Sequence, residues 1–418
     1  MRLGQEVQAL PRGEPLSDRP LVEPGESSTE ATLVEPVESS TEATLVEPVE
    51  TSIQAALVEP VETSIAVDPE TAHAAARTWI AGGLVALPTE TVYGLAADAQ
   101  NPEAVARIYT VKGRPADHPL IVHVAGEQAL DAWSDRPDSR AHALASAFWP
   151  GPLTLVVRRS ARAGDHITGG QDTVALRSPG HPVALACLRA LAELTGDPAR
   201  GVAAPSANRF GRVSPTTAAD VLAELGPFLS DSDLILDGGA SAVGVESTIV
   251  DCTAELPRVL RPGAVSQADI DLVLSHAGLL PDDGHWHDES PDQAAAPRAP
   301  GTLDAHYAPD AAVLVVAAGE PLPELPAGEA VGLIALREVG DDAGWTRLAT
   351  PADVAEYAHQ LYGALRRADR LGLAQVVAVL PPSDAGSLAD AVADRLARAA
   401  HGGRTGSSNP APSRSTDP

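Results

Sequence analysis

Residues 87–124 read LPTETVYGLAADAQNPEAVARIYTVKGRPADHPLIVHV, and this stretch decides both the fold and the candidate site. Its pattern predicts the end of a strand, a polar turn, a helix, a basic turn and another strand. The polar turn supplies hydroxyl groups and one carboxylate, from Thr89, Glu90, Thr91 and Tyr93. Hydroxyl groups beside clustered cations suit an anionic substrate such as a nucleotide, so the stretch predicts an anion site.

The basic turn brings two cations, Lys112 and Arg114, and the strand after it carries His123 in an otherwise apolar run. Each of these residues has a purely structural alternative. Cations in the last turn of a helix offset the helix macrodipole, and a single histidine in an apolar strand is more often a core residue than a ligand. Their interpretation depends on what the rest of the chain places beside them.

Length, charge and composition limit the classes of protein. A chain of 418 residues favours two domains, and an aromatic content of 3% means that its cores must use Ala, Val and Leu. The net charge of −28 argues against general affinity for nucleic acid or anionic membranes, so an anion site must be a local basic cluster. Cys187 and Cys252 provide neither a disulfide framework nor a zinc pattern. Without a long apolar run or a signal-like N-terminus, we expect a cytoplasmic protein with no membrane span.

Residues 1–67 are acidic, and most of them repeat with a period of twelve. Every unit contains a proline that breaks helices, and its few apolar side chains cannot offset the chain entropy lost on folding. We therefore predict a disordered acidic tail. A stacked repeat is the alternative, although this unit is short for a solenoid. The units are LVEPGESSTEAT, LVEPVESSTEAT, LVEPVETSIQAA and LVEPVETSIAVD, at 21–32, 33–44, 45–56 and 57–68.

From residue 68 onward, helix and strand patterns alternate, which predicts an α/β fold with a mixed sheet over 68–272. A linker rich in Asp, Pro and Ala follows at 273–310, and a second αβ pattern over 311–402 predicts a small three-layer α/β domain with three strands. The Ser-, Pro- and Gly-rich residues 403–418 are expected to be disordered. In the first domain, strands are predicted at 84–88, 119–124, 153–159, 173–179, 201–204, 234–239, 246–252 and 258–263, and helices at 69–81, 102–112, 127–148, 181–194 and 215–225.

Polar and charged residues follow several of the predicted strands. Arg177 and Arg261 each end an apolar strand, where open α/β sheets place ligands, although a surface ion pair is an equal alternative. Ser206 lies in a polar loop and Ser214 is a candidate N-cap, so each can bind a nucleotide or simply complete a turn. Tyr307 lies in the linker, which suggests an aromatic cover over a pocket mouth or an anchor that fixes the linker.

Several standard sites are absent from the sequence. It contains no GxxxxGK[ST] phosphate loop, no GxGxxG after a strand, no HExxH and no CxxC. An ATP site in this chain would therefore have to use side-chain cations, for which Lys112, Arg114 and Arg261 are the candidates.

Taken together, these segments resemble one family, the YrdC-like threonylcarbamoyl-AMP synthases, in their long two-domain form. Each motif is weak alone, but their order and approximate spacing along residues 68–400 match the family. The resemblance implies a YrdC-like mixed twisted sheet in the first domain and a linker that crosses the active site. The motifs are PTETVYGL, KGRPxxxPLIVHV, TVALRSP, PSAN followed by SPT, ESTIVD, LRPG and HYAP.

The resemblance also implies a reaction. The family joins ATP, L-threonine and bicarbonate or carbon dioxide into L-threonylcarbamoyladenylate, with release of pyrophosphate. Partner enzymes of the tRNA threonylcarbamoyl transfer machinery then modify an adenosine in tRNA. We therefore expect an L-threonylcarbamoyladenylate synthase, a nucleotidyltransferase with weak tRNA binding at most. Mg²⁺ is the expected cofactor, carried with ATP, because no carboxylate cage for a metal is visible.

Site residues are carried over at matching motif positions. Lys112 and Arg114 are expected to act in catalysis by neutralising the triphosphate. Arg177 is expected to bind the threonine carboxylate through both branches of its guanidinium. The expected L-threonine contacts are Thr91, His123, Arg177, Ala204 and Ser247, and the expected ATP contacts are Arg114, His118, Thr173, Ser206, Ser214, Arg261 and Tyr307.

One residue departs from the family pattern. The family usually has Asn before Pro-Leu in the KGRP motif, whereas this chain has His118. Histidine can still donate a hydrogen bond but differs in shape and charge. The departure puts His118 in question as an ATP contact and leaves the family resemblance intact.

Two other functions are weighed against the synthase. A carbamoyltransferase of the hydrogenase-maturation type shares a YrdC-like domain, but those chains carry zinc-finger cysteines, and two lone cysteines disfavour this alternative. A non-catalytic RNA-binding module is the other alternative, and the acidic net charge opposes it.

Overall fold

The structure is a computed structural model that describes residues 7–9, 67–254, 256–280, 296–301, 306–324, 330–340 and 344–402. The described elements form two sheets, one of ten strands and one of four. The predicted disorder of the acidic repeats and of residues 403–418 lies outside the described residues and stays a prediction. Residues 7–9 differ from the expected disorder, because their backbone forms a strand along an edge of the large sheet.

The large sheet is mixed, as the alternating pattern predicts. Its parallel pairs include β4 with β6 and β5 with β9, and its antiparallel pairs include β2 with β3 and β5 with β6, in the order β1-β8-β2-β3-β7-β4-β6-β5-β9-β10. The strands are β1 (Val7–Ala9), β2 (Val85–Leu87), β3 (Gly94–Asp98), β4 (Ile121–His123), β5 (Leu153–Arg158), β6 (Thr173–Arg177), β7 (Val202–Ala203), β8 (Leu234–Asp237), β9 (Thr248–Asp251) and β10 (Arg258–Arg261).

Helices flank this sheet, and two of them, α1 and α2, begin at the residues predicted from the sequence, 69 and 102. Asp68 accepts hydrogen bonds from the first turn of α1, and Asn101 does the same for α2. Gly113 ends α2 with φ at 63°, a left-handed conformation that glycine adopts without strain, and turns the chain into the basic turn. The helices are α1 (Pro69–Ile80), α2 (Pro102–Lys112), α3 (Leu130–Trp133), α4 (Ser139–Phe148), α5 (Asp165–Thr168), α6 (Pro182–Thr195), α7 (Ala218–Leu225) and α8 (Gln267–His276).

Several elements differ from the predictions. Strand β3 was not predicted, because all five of its residues are buried and they show no alternation of buried and exposed positions. The helix predicted over 127–148 is interrupted between α3 and α4, where Asp138 caps a new start. Helix α8 extends into the predicted linker, and Ser266 and Asp269 form its capping box. Helix α7 begins after Thr217, which caps it in place of the predicted Ser214.

The small sheet has four parallel strands, one more than predicted, in the order β11-β14-β12-β13. The extra strand, β13, alternates poorly, since its first three side chains are all half-buried. Helices α9 and α10 share one apolar cluster with a face of this sheet, and loop residues such as Leu322 and Val339 cover the other face. The elements are β11 (Ala312–Val316), β12 (Val331–Ile334), β13 (Trp345–Ala349), β14 (Gln375–Val379), α9 (Val354–Arg370) and α10 (Ser387–Gly402).

The sheet register prepares the site. In the parallel strands β4 and β6, His123 and Arg177 are register partners at the carboxyl ends. Strand β7 runs antiparallel beside β4 and leads into the loop at Ala204 and Ser206. Polar side chains from separate segments therefore meet at one edge of the sheet. Among the described helices, none is long and apolar enough to cross a membrane.

Candidate active site

One cleft gathers most of the predicted site residues. Its empty volume is about 560 Å³, which includes the space open to solvent. The predicted residues that line it are Thr91, Arg114, His123, Arg177, Ala204, Ser206, Ser247, Arg261 and Tyr307. The predicted residues outside its wall are Lys112, His118, Thr173 and Ser214.

Arg177 is buried at the cleft and held from three sides. Its Nη1 donates to Thr91 Oγ1 at 2.9 Å, and its Nε donates to the Gly151 carbonyl at 3.2 Å. Its Nη2 lies 2.6 Å from Glu90 Oε1, a close ion pair whose angles are not those of a hydrogen bond. A guanidinium fixed in this way can offer its remaining N–H groups to a carboxylate with little loss of side-chain entropy.

His123 lies beside Arg177 with an open ring nitrogen. Burial, and then the charge of Arg177, lower the pKa of His123 to about 3, so the ring is neutral near pH 7. Its Nδ1 is buried and has no hydrogen-bond partner among the described residues. A neutral imidazole can either donate or accept there, depending on its tautomer, so it can contact a polar ligand without adding charge.

Two arginines bring positive charge into the cleft. Arg261 donates to the Ser247 carbonyl from Nε and Nη2, at 3.1 and 3.0 Å, and to the Pro300 carbonyl from Nη1 at 2.8 Å. Arg114 donates to the Pro119 carbonyl at 3.0 Å. Burial lowers the pKa of both groups, although arginine remains charged in proteins. Since both are held by neutral carbonyls in the described part of the chain, their charge is available to an anion.

Lys112 lies behind the cleft wall. Its ammonium group donates to the carbonyl oxygens of Ser206 and Asn208, the second at 2.5 Å. Burial lowers its pKa, and donation to two carbonyls favours the charged form. The structure therefore gives Lys112 a contact that shapes the loop at 205–208, and its predicted role in catalysis stays a prediction.

The other three predicted residues outside the wall have structural contacts. His118 packs its ring edge-on against Phe210, with centroids 5.3 Å apart. Thr173 begins β6 opposite Arg158. Ser214 donates from Oγ to Glu246 Oε1 at 2.7 Å, and so supports a residue that does line the cleft.

The linker residues 300, 301, 306 and 307 contribute to the cleft wall. Tyr307 is 1% exposed and has φ at 61°, a left-handed value that is uncommon for residues with a side chain and often marks a functional position. Its hydroxyl is buried without a hydrogen-bond partner in the described ranges. The linker therefore lies along the cleft, and the expectation that it crosses the active site stays a prediction.

Five aromatic rings form a row from the basic turn to the small-sheet domain. Successive centroids lie 5.3, 6.1, 4.1 and 5.6 Å apart. The first three contacts are edge-on and the last is stacked, which are the favourable geometries for aromatic pairs. In order, the rings are His118, Phe210, His306, Tyr307 and Tyr362.

Sequence reasoning missed several residues of the cleft. Glu246 stands directly before Ser247 in a motif that was noted, but it shows no chemical signal until its partners are known. His306 was noted only as part of HYAP. The cleft residues that sequence reasoning did not assign include Thr89, Glu246, Pro300, Gly301 and His306.

In the described ranges, no three His, Cys, Asp or Glu side chains are placed to hold a metal ion. The expected Mg²⁺ would arrive bound to the phosphates of ATP, so this arrangement does not test it.

Two family models match the chain. One, described as "Telomere recombination", matches residues 78–263, and the other, described as "Threonylcarbamoyl-AMP synthase, C-terminal domain", matches residues 265–401. The threonylcarbamoyl-AMP synthase of Pyrococcus abyssi is 41% identical over 307 residues, which cover 71% of this chain and 85% of the relative. That of Bacillus subtilis is 41% identical over 255 residues, covering 61% and 68%.

A solved structure is also similar to this chain. It is the crystal structure of P. abyssi Sua5 complexed with L-threonine, with a TM-score of 0.66 and 36% sequence identity. The match covers 80% of this chain and 96% of the solved chain. The similarity therefore extends over both sheets.

Proposed function

Because the chain belongs to the threonylcarbamoyl-AMP synthase family of enzymes, we propose that it makes L-threonylcarbamoyladenylate and pyrophosphate from L-threonine, bicarbonate or carbon dioxide, and Mg·ATP. The observation that carries the proposal is the composition of the cleft. It combines a fixed guanidinium and a neutral imidazole, Arg177 and His123, with two cations available to an anion, Arg114 and Arg261.

The amino-acid half of the cleft suits L-threonine. The threonine carboxylate would pair with Arg177, whose orientation is fixed by Thr91 and Gly151. His123 would accept or donate a single hydrogen bond without charge. Ser247 and the backbone at Ala204 would complete the pocket wall. The similar P. abyssi protein has been solved with L-threonine, which supports this half of the proposal.

The chemistry needs two bond-forming steps. First, the neutral threonine amine attacks the carbon of carbon dioxide, one pair of C=O electrons moves to oxygen, and the nitrogen loses a proton to give a carbamate. A carbamate oxygen then attacks the α-phosphorus of ATP, and the bond from that phosphorus to the β-phosphate oxygen breaks to release pyrophosphate. Both reactants of the second step are anions, so Arg114 and Arg261 would act by reducing repulsion and stabilising the developing charge.

The other residues proposed for the ATP site differ in whether they line the cleft. Ser206 lines the cleft and can bond a nucleotide oxygen directly. Tyr307 would offer its open hydroxyl. Thr173 and His118 lie outside the wall and would contact ATP only where it extends beyond the cleft. Lys112 would support the loop that carries Ser206.

The product would pass to the tRNA threonylcarbamoyl transfer machinery, in the cytoplasm where tRNA is found. Threonylcarbamoyl-AMP is a mixed anhydride that water can hydrolyse, so a partner must take it up promptly. Weak binding of tRNA to this chain is compatible with this transfer, because the adenylate carries the threonylcarbamoyl group to the partner enzyme.

The test is threonine-dependent pyrophosphate release. The protein is incubated with labelled bicarbonate, Mg·ATP and L-threonine, L-serine or no amino acid, and the product mass is measured. We expect pyrophosphate and the labelled adenylate with threonine. Two arginines of β10 provide matched variants: Arg261→Met should abolish product, whereas Arg258→Met, which loses only the contact with Asp251, should retain it. Pyrophosphate release that ignores threonine would overturn the proposal.

A further inference from the structure

We propose that Arg395 and Tyr362, from α10 and α9 of the small-sheet domain, are positioning residues for the cleft. They hold the carboxylate of Glu246 and the ring of Tyr307, and so make the second domain part of the active site. The inference rests on the proposed function for what the cleft binds, and on the contacts below for how the cleft is built.

Glu246 is one of several points of contact between the two domains, which also include Arg366 with Glu224 and Ser387 with the Ala264 carbonyl. It is 6% exposed, lines the cleft and directly precedes Ser247. Its Oε1 accepts from Ser214, while its Oε2 accepts from Tyr362 Oη at 2.8 Å and from Arg395 Nε at 2.9 Å. Both oxygens are therefore satisfied, and two of the three donors come from the second domain.

Arg395 has no surface role. It is 1% exposed, and besides Glu246 it donates to the Pro262 carbonyl at 3.0 Å and to its neighbour Asp394 at 2.6 Å. Burying a guanidinium is costly unless it is paired and hydrogen-bonded. A buried arginine that reaches from the last helix to a cleft carboxylate indicates a requirement for positive charge at that point.

The same two residues hold Tyr307. Its ring stacks on Tyr362, with centroids 5.6 Å apart and planes at 27°. The Arg395 guanidinium carbon lies 5.4 Å from the centre of the Tyr307 ring. With its ring engaged by the second domain, Tyr307 contributes its hydroxyl to the cleft and leaves little ring surface for a nucleotide base. This favours the anchor interpretation over the aromatic cover.

Charge explains why Arg395 matters to an anionic substrate. Burial raises the pKa of Glu246, but Arg395 and then Arg261 lower it to about 2, so the carboxylate is charged. If Arg395 were absent, that charge would pair with Arg261, the cation proposed to bind the triphosphate. Arg395 therefore keeps Arg261 free for ATP.

The groups that face Glu246 come from several elements. Arg261 lies on β10, Arg395 and Asp394 on α10, Tyr362 on α9, and Tyr307 with His306 on the linker. Of these, His306 and Tyr307 are uncharged near pH 7, because burial lowers the pKa of His306 to about 3 and raises that of Tyr307 to about 12. The charge balance at Glu246 thus depends on the two arginines and on Asp394, which pairs with Arg395.

The decisive variant is Arg395→Met, which keeps the volume and removes the charge. We expect the KM for ATP to rise about tenfold while the KM for L-threonine changes less than about threefold. Lowering the pH toward 6 should not restore the KM for ATP, because a Glu246 carboxylate that pairs with Arg261 stays charged there. The double variant Arg395→Met with Glu246→Gln should recover most of the loss, and Arg395→Lys should be intermediate.

Two further variants separate positioning from folding. Tyr362→Phe removes one hydrogen bond to Glu246 but keeps the ring stack, so its KM for ATP should rise only about two- to threefold. Arg107→Gln breaks another pair with a buried carboxylate, that of Asp233, and should lower stability with unchanged KM values. A folded Arg395→Met enzyme with the parental KM for ATP would overturn the proposal.

A measurement without substrate separates this inference from the proposed function. The amides of His306 and Ala308 donate to the carbonyls of Arg398 and Gly211. Hydrogen exchange at 306–308 should be faster in Arg395→Met than in the parent and unchanged in Arg107→Gln. Equal exchange in the parent and Arg395→Met would overturn the positioning role. If the parental enzyme released no pyrophosphate with threonine, the proposed function would be refuted but the positioning role would not. If Arg395→Met does not fold, Tyr362→Phe decides by the same two readouts.

Discussion

The ammonium nitrogen of Lys112 lies 2.5 Å from the carbonyl oxygen of Asn208, and it also donates to the Ser206 carbonyl. A residue expected from its motif to meet the triphosphate thus holds the loop that forms one wall of the cleft. The distinction can be measured, because a support and a direct contact fail in different ways.

Replacing Lys112 with Met should leave two buried carbonyl groups without their donor. We expect the free energy of unfolding to fall by about 3 kcal/mol and the KM for ATP to rise through displacement of Ser206. Denaturant unfolding and steady-state kinetics provide the two measurements. A large loss of kcat with unchanged stability would show instead that Lys112 acts on the phosphates directly.

Replacing Arg177 with Lys should weaken threonine binding selectively. Lysine keeps the charge but cannot form two parallel hydrogen bonds to a carboxylate, so the KM for L-threonine should rise about 10- to 100-fold with little change for ATP. Arg200→Lys, which alters a salt bridge to Asp98 away from the cleft, is the control. Equal increases for both substrates would indicate general damage to the cleft.

Acid should destabilise the protein through its buried histidines. Burial lowers the pKa of His306 from 6.5 to about 3. Below pH 6.5 the unfolded chain therefore binds a proton at His306 that the folded chain does not bind. The free energy of unfolding consequently decreases as the pH is lowered below 6.5. Between pH 7 and pH 5, His306→Gln should lose about 2 kcal/mol less unfolding free energy than the parent. Parallel curves for the two proteins would contradict the neutral, buried state of His306.

Restoring the residue usual in the family, by His118→Asn, should have a small effect on ATP use. The His118 ring contacts Phe210 and lies outside the cleft wall, so we expect the KM for ATP to change less than about threefold. The lost ring contact should lower the unfolding free energy by about 1 kcal/mol. An increase of about tenfold or more in the KM for ATP would make His118 a direct contact.

Local signals predicted the parts of this molecule that depend on local structure. Asp68 and Asn101 cap helices where the sequence indicates, since capping involves residues two or three positions apart. The strands that end at His123 and Arg177 were also predictable. The rule that ligands bind at strand ends made Arg177 a candidate, whereas His123 became one only through the family motif. Strand β3 could not be predicted, because all of its residues are buried and the alternation that identifies a strand is missing.

The cleft depends on partners that no local pattern can supply. Glu246 and Arg395 are separated by 149 positions, so neither residue identifies the other in the sequence. Lys112 looks the same in the sequence whether its ammonium group meets a phosphate or a carbonyl. The choice follows from where the loop after β7 passes, and that path is set by tertiary packing.

Lys112 is the only lysine in the 418 residues, and the structure buries it to 2% exposure. A protease that cuts after lysine therefore has a single target bond in the whole chain, between Lys112 and Gly113. Cleavage there requires the wall of the cleft to open, so the cutting rate measures that opening directly. Amine-reactive reagents will likewise find one side chain, whose protection by ATP or threonine can be followed by mass spectrometry without any introduced label.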